Sequence, residues 1–171
     1  MFISPASEND IYTVALEMRK RDYEEIVCMT WADDREDLAQ FLVKHLAGHE
    51  NVYCFGDDRP IGIVSYVPVR PGVWSLGMYA TPRFENVGRY LTRVVIKDII
   101  PALDRANAHR VEALSISGYD SVHRWLEFIG LKKENVVPGF GRNGEDFITF
   151  AYVRKPNTKP GVRWRKPGEI S

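Results

Sequence analysis

Cysteine is scarce: Cys28 and Cys54 are the only two in 171 residues, and they stand far apart with no C-x-x-C spacing. That scarcity argues against a disulfide framework and against a thiolate zinc site, and it fits a reducing compartment. Net charge is missing as well, since 23 Lys and Arg balance 23 Asp and Glu. No global field draws such a chain to nucleic acid or to an anionic membrane, so any partner of that kind needs a local patch. No run of about 18 apolar residues could span a bilayer, and no basic-then-apolar leader opens the chain. The expectation is a soluble, unsecreted protein of the cytoplasm. A G-x-S-x-G elbow, a G-x-x-x-x-G-K-[ST] loop and internal repeats are also absent, which removes acyl-hydrolase, P-loop and solenoid readings.

What is present suffices for one core. Hydrophobic residues make up 44% of the chain and aromatics 12%, enough for a single domain and not for two. After a short strand at Met1 to Ser4, Ser7 and Asp10 form a helix-start signature before IYTVALEM. Charged residues 19 to 22 then break the pattern, and YEEIVCMTW resumes it with Tyr23, Ile26, Val27 and Thr30 at helical spacing. A third helix begins at Asp33 to Glu36, carries Leu38, Phe41, Leu42, His45 and Leu46 on one face, and ends at Gly48.

The period changes in the middle third. VYCFG, IGIVSYVPV and VWSLGMYA predict an antiparallel meander with turns at residues 57 to 60 and 70 to 72. Helical spacing returns from Val87, with Leu91, Val94, Val95 and Ile99 on one stripe, and Pro101 either ends or kinks that helix. RVEALSIS reads as a strand, SVHRWLEFIG as a helix closed by Gly130, and DFITFAYV as a last strand after a Gly-Arg-Asn-Gly turn. The predicted class is α/β, a mixed sheet in which an antiparallel meander joins a parallel βαβ unit, within one domain over residues 1 to 153. Residues 154 to 171 form a basic, Pro-rich tail, flexible or docked, in which Trp164 stands between Arg163 and Arg165. His45 and His49 have metal-pair spacing, yet Gly48 separates them and no third ligand is near, so no metal is expected.

The stretch TPRFENVGRYLTRVV, residues 81 to 95, joins the meander to the crossover helix. The first N–H groups of a helix lack intrahelical partners and favour an anion. Gly88 lets such an anion approach the backbone, Asn86 tolerates left-handed geometry, Arg83 and Arg89 supply cations, and Glu85 must turn to solvent.

Residues 83 to 88, R-F-E-N-V-G, resemble the R-x-x-G-x-G/A acetyl-CoA loop of the GNAT superfamily of N-acetyltransferases, and Gly88 to Leu91 resemble its G-R-x-L continuation. VEALSISGYDSVHRWLEFIGLKKE is similar to that superfamily's second block, so the resemblance covers roughly residues 50 to 153. It implies a GNAT fold and direct transfer of an acetyl group from acetyl-CoA to a primary amine of a small molecule or protein. The backbone of Met78, Tyr79 and Ala80 would align the pantetheine arm, and residues Phe84 to Arg89, including Asn86, Val87 and Gly88, would hold the diphosphate. Three positions depart from the pattern: Asn86 replaces the first loop glycine, Tyr119 an Asn, and Leu126 the Tyr that serves as general acid. Tyr119 is the replacement acid chosen here, ahead of Ser117 and His123. Glu112 is either a base acting through water or a solvated surface residue. The C-terminal half also resembles the GNAT-like proteins of short-tailed bacteriophages, some of them internal virion components. That likeness implies the alternative of a catalytically degenerate virion or host-interaction protein that reaches a protein partner through its tail.

Overall fold

The computed structural model describes residues 1–154; the predicted tail, Lys155 onward, lies outside the described residues. Ser7 caps the first helix as its sequence implies, its Oγ accepting from Asp10 N–H at 3.1 Å while Asp10 Oδ2 accepts from Ser7 N–H at 2.9 Å. This places α1 (Glu8–Leu16) directly after β1 (Phe2–Pro5), and two more helices follow, α2 (Lys20–Val27) and α3 (Arg35–Leu46). Gly48 adopts φ +78° just past α3, a left-handed conformation that releases the chain from the helix.

The meander is β2 (Val52–Gly56), β3 (Pro60–Arg70) and β4 (Val73–Ala80), and a 3-10 turn at Pro82–Asn86 leads into α4 (Gly88–Val94). Pro101 does not end the crossover helix. A π-turn at Val95–Ile99 already shifts the ladder, with Ile100 N–H donating to Val95 C=O, so Pro101 enters the first turn of α5 (Ile100–Arg105), where its missing N–H costs little. The chain continues through β5 (Arg110–Ile116), α6 (Asp120–Phe128), β6 (Lys132–Val137) and β7 (Phe147–Val153). Strand β6 escapes a pattern reading because it is an outer strand whose Lys132 to Val136 are all exposed, so no apolar alternation marks it.

The strands form one seven-stranded sheet in the order β1-β2-β3-β4-β5-β7-β6, antiparallel except for the β4–β5 pair. One face packs α4, the π-turn, α5 and α6 through Leu91, Val95, Ile99, Leu103, Leu126 and Ile129. The other packs α1, α2 and α3 through Ile11, Val14, Val27, Leu38 and Leu42. The fold is therefore the mixed α/β sheet with a parallel βαβ unit that the element order implies. Both cysteines are buried free thiols, and among the described residues no helix is long and apolar enough to cross a membrane.

Candidate active site

Strands β4 and β5 pair only over Val73↔Arg110, Trp74↔Val111 and Ser75↔Glu112. Beyond Ser75 each keeps its outer partner, β4 remaining on β3 as far as Gly62↔Ala80 and β5 on β7 as far as Ile116↔Phe147, while the two part from each other. A V-shaped cleft results in the middle of the sheet. Its cavity of about 70 Å³ is lined by Leu76, Gly77 and Met78 of β4, Ala113 and Leu114 of β5, Val122, Trp125 and Leu126 of α6, and Arg19, Asp22 and Glu25.

The last three residues come from α2 and the position before it, and they stitch the parted strands. Asp22 is 4% exposed, and its Oδ2 accepts from Ala80 N–H at 2.9 Å and from Arg19 Nε at 2.7 Å. Arg19 N–H in turn donates to Ala80 C=O at 2.9 Å. Thr81 N–H bonds to Ile61 C=O on β3, so by strand alternation Ala80 and Met78 present their backbone groups to the cleft side. On the opposite wall Glu25 Oε1 accepts from Ile116 N–H at 2.7 Å. Burial holds the Glu25 carboxyl above the ordinary range, against the opposing pull of the Ile116 N–H. Ser115 Oγ, buried beside that carboxylate, adds to the stabilisation of its charge without reaching hydrogen-bond geometry to any described residue. Burial also lowers the Arg19 guanidinium, which lies 4.5 Å over the Phe84 ring.

The loop from residue 81 departs from the sequence expectation in its backbone. Neither Asn86 nor Gly88 adopts a positive φ. The segment instead winds as a 3-10 turn in which Phe84 N–H donates to Thr81 C=O and Val87 N–H to Phe84 C=O. Gly88 has another reason to be glycine: a Cβ there would stand 3.1 Å from the Phe84 ring. Arg83 does not face an open phosphate position but is held by Asp57 at 2.8 Å and Asp58 at 3.0 Å. Glu85, Asn86 and Arg89 are exposed, and Val87 is fully buried. Tyr79 points into the core on the α1–α3 face, its hydroxyl donating to Ile11 C=O at 3.3 Å, and its backbone groups face β3. Thr81 Oγ1 is buried at the end of β4 with no hydrogen-bond partner among the described residues.

Neither of the two sequence-derived catalytic candidates lines the cavity, and Tyr119 stands beside α2. Tyr119, just before α6, directs its hydroxyl at Glu24 Oε2, 3.4 Å away, and burial with Glu24 and Glu25 nearby pushes its pKa up to about 12. Glu112 lies elsewhere. It sits at the closed end of the cleft, where β4 and β5 still pair, and Arg110 Nε binds it at 2.7 Å with Arg70 at 3.6 Å. Arg110 also grips Glu134 at 2.6 Å, so Glu112 is one link in a surface ion-pair chain. His123 Nε2 lies 3.1 Å from Ile116 C=O and its ring packs on Phe150.

Sequence reading missed Arg19, Asp22 and Glu25, taking residues 19 to 22 as a break in a helical pattern. Their spacing of three residues is a single helical stripe, the signal that could have found them. Among the described residues no group of three His, Cys, Asp or Glu side chains is placed to hold a metal ion.

No known family profile matches the sequence, and no curated protein does. Solved structures do match. A ribosomal-protein-alanine N-acetyltransferase from Brucella melitensis superposes with a TM-score of 0.67 at 17% identity, over 90% of this chain and 100% of that one. A GNAT-family acetyltransferase from Bacillus anthracis gives 0.66 at 18% identity, over 88% and 93%. YncA from Salmonella typhimurium, whose structure was solved with its cofactor acetyl-CoA, gives 0.66 at 16% identity, over 95% and 98%. At such low identity the agreement is one of fold, and that fold is the GNAT N-acetyltransferase fold.

Proposed function

We propose that this GNAT-fold chain is an acetyl-CoA-dependent N-acyltransferase that acts on a primary amine. The observation that carries the reading is the parting of β4 from β5 immediately before a helix start, with the carboxylates of Asp22 and Glu25 lining the opening. A sheet interior opened in this way forgoes backbone hydrogen bonds, and a carboxylate held there costs stability, so a ligand that completes the edge is the compensating partner.

The residues present fit the cofactor's arm. Met78 offers the β4 edge, Ala113, Leu114, Val122 and Trp125 offer apolar walls, and Thr81 Oγ1 is an orphaned hydroxyl where the strand meets the turn. Gly88 and Arg89 open α4, and their N–H groups with the exposed Arg89 side chain would receive the diphosphate beside Asn86. Phe84 and Val87 would shape this turn, and Tyr79 and Ala80 would hold the strand, while Arg83 is committed to its aspartates. When bound, acetyl-CoA supplies an activated acetyl group and leaves as a thiol. Tyr119 remains a phenol at neutral pH and so holds a proton at Oη for the departing sulfur.

Thermal denaturation with acetyl-CoA tests the binding. A ligand at one hundred times its Kd adds about 2.7 kcal/mol to the folded state, which for a domain of this size raises Tm by roughly 5–10 °C. No shift at millimolar acetyl-CoA sinks the proposal.

A second reading rests on its own observations. Ala80 already satisfies both its cleft-side groups with Asp22 and Arg19, and Trp125 Nε1 bridges α6 to Thr92 Oγ1 on α4 at 3.0 Å. These contacts suit a degenerate GNAT fold with a structural or host-interaction role, closed by its own side chains. Such a protein shows no shift with the cofactor and retains a stable protein partner in a pull-down.

A further inference from the structure

The arrangement around α2 assigns a role that its sequence position does not advertise, and the inference rests on the acyltransferase reading above. We infer that Glu25 is the general base of the site, receiving the proton that the acceptor ammonium must lose before its nitrogen can attack. Four features of the geometry carry it. Glu25 lines the cleft between the parted strands, whereas Glu112 is spent in ion pairs at the closed end. Its Oε1 is fixed by Ile116 N–H, so the carboxylate is oriented before any ligand arrives. Ser115 Oγ is buried beside it without a geometric hydrogen-bond partner among the described residues. Tyr119, the proton donor, lies across from the same helix, bonded to the adjacent Glu24.

The charges that face Glu25 are few. Arg19, Arg21 and Asp22 approach from its own helix and the position before it, Cys28 follows it, and Tyr119 comes from the start of α6. Burial outweighs the favourable Arg21 and backbone contributions, and the carboxyl is held above its ordinary range, which brings a carboxylate nearer the pH at which it is an effective base. The proton balance closes. Two protons leave the acceptor nitrogen: one goes to Glu25 and then to solvent, and the other restores the Tyr119 phenol, whose own proton has gone to the thiol sulfur and stays there. The nitrogen–carbon bond forms as the carbon–sulfur bond breaks.

The test compares wild type with Glu25→Gln and Glu25→Ala, using acetyl-CoA with spermidine, lysine and a tripeptide bearing a free N-terminus as probe amines. Thiol release, the acetyl-CoA thermal shift and Tm against pH are recorded. Glutamine keeps an oxygen for Ile116 N–H and removes the charge. Glu25→Gln should lose about 10²–10⁴-fold in turnover and lose the acidic limb of the pH profile, with its acetyl-CoA shift intact.

Tm supplies a readout independent of turnover. A carboxyl raised in the folded state contributes stability below its unfolded pKa, and that contribution is lost as pH rises through the folded value. Glu25→Gln should therefore melt at or above the wild-type temperature at pH 8, with the difference closing toward pH 4, while Glu25→Ala, which strands the Ile116 N–H, melts lower. Wild-type turnover in Glu25→Gln overturns the inference and leaves the acyltransferase reading standing, and so does a Glu25→Gln protein that melts well below wild type at pH 8. A wild-type protein that neither binds acetyl-CoA nor acetylates a probe overturns the acyltransferase reading and, with it, the role of Glu25.

Discussion

Asp22 shows at the level of one residue why the charged interruption after α1 is retained. It is a buried carboxylate that satisfies a strand N–H and a guanidinium at once. Removing it leaves Arg19 buried without its counter-charge and Ala80 N–H without an acceptor. Asp22→Ala should cost about 3–5 kcal/mol, as for other broken buried pairs, and urea denaturation will read it as a lower midpoint at constant slope. Asp22→Asn should cost less, since an amide oxygen can still accept from Ala80. Equal midpoints for Asp22→Ala and wild type would show that the contact contributes nothing. The position of the neighbouring Tyr119, inside the second block and just before its helix, was legible, but its partner Glu24 was not, because the two stand 95 positions apart.

The crossover element shows how a motif can keep its outline while its contacts change. The turn at Pro82–Asn86 and the helix behind it follow the strand as the R-x-x-G-x-G/A pattern implies, yet Arg83 is drawn off by the β2–β3 turn. Asp57 is itself held below the ordinary carboxylate range, first by Asp58 and its neighbouring backbone N–H groups and also by Arg83. Neutralising both aspartates frees a guanidinium at the loop. On the proposed acyltransferase reading, the double variant Asp57→Asn, Asp58→Asn should bind acetyl-CoA roughly tenfold more tightly than wild type, the scale of one added charge-assisted hydrogen bond. Isothermal titration decides it, and an unchanged Kd would mean that Arg83 does not reach the cofactor even when released.

Over the described residues, one sheet carries two cores, one on each face, and α2 ties β4 to β5 where they part, through Asp22 and Glu25. Among the described residues there is no second sheet, and helices pack on both faces of this one. Unfolding should accordingly be a single cooperative event. Tryptophan fluorescence and far-ultraviolet circular dichroism should give coincident urea transitions, and separated midpoints would show that the helical layer of α1 to α3 melts independently. The cleft is a product of this scale alone, since it exists only where two strands with different outer partners diverge.

The sequence by itself determined the order of elements, the capping of α1, the meander and the parallel crossover, because periodicity, turn residues and caps act over a few neighbouring positions. Strand β6 lay beyond it, for an exposed outer strand has no apolar face to imprint a pattern. Only the tertiary structure decided which charges belong to the site. Arg83 and Glu112 look available in the chain, but Arg83 is paired with Asp57 and Asp58, and Glu112 with Arg110 on its own strand and Arg70 on another. Arg19 and Asp22 look like a break between helices and Glu25 like one more residue of the helix that follows, and folding sets all three along the opening between two strands. The physical reason is the same in both cases: the state of a charged group depends on burial and on its partners, and both are set by contacts far apart in sequence.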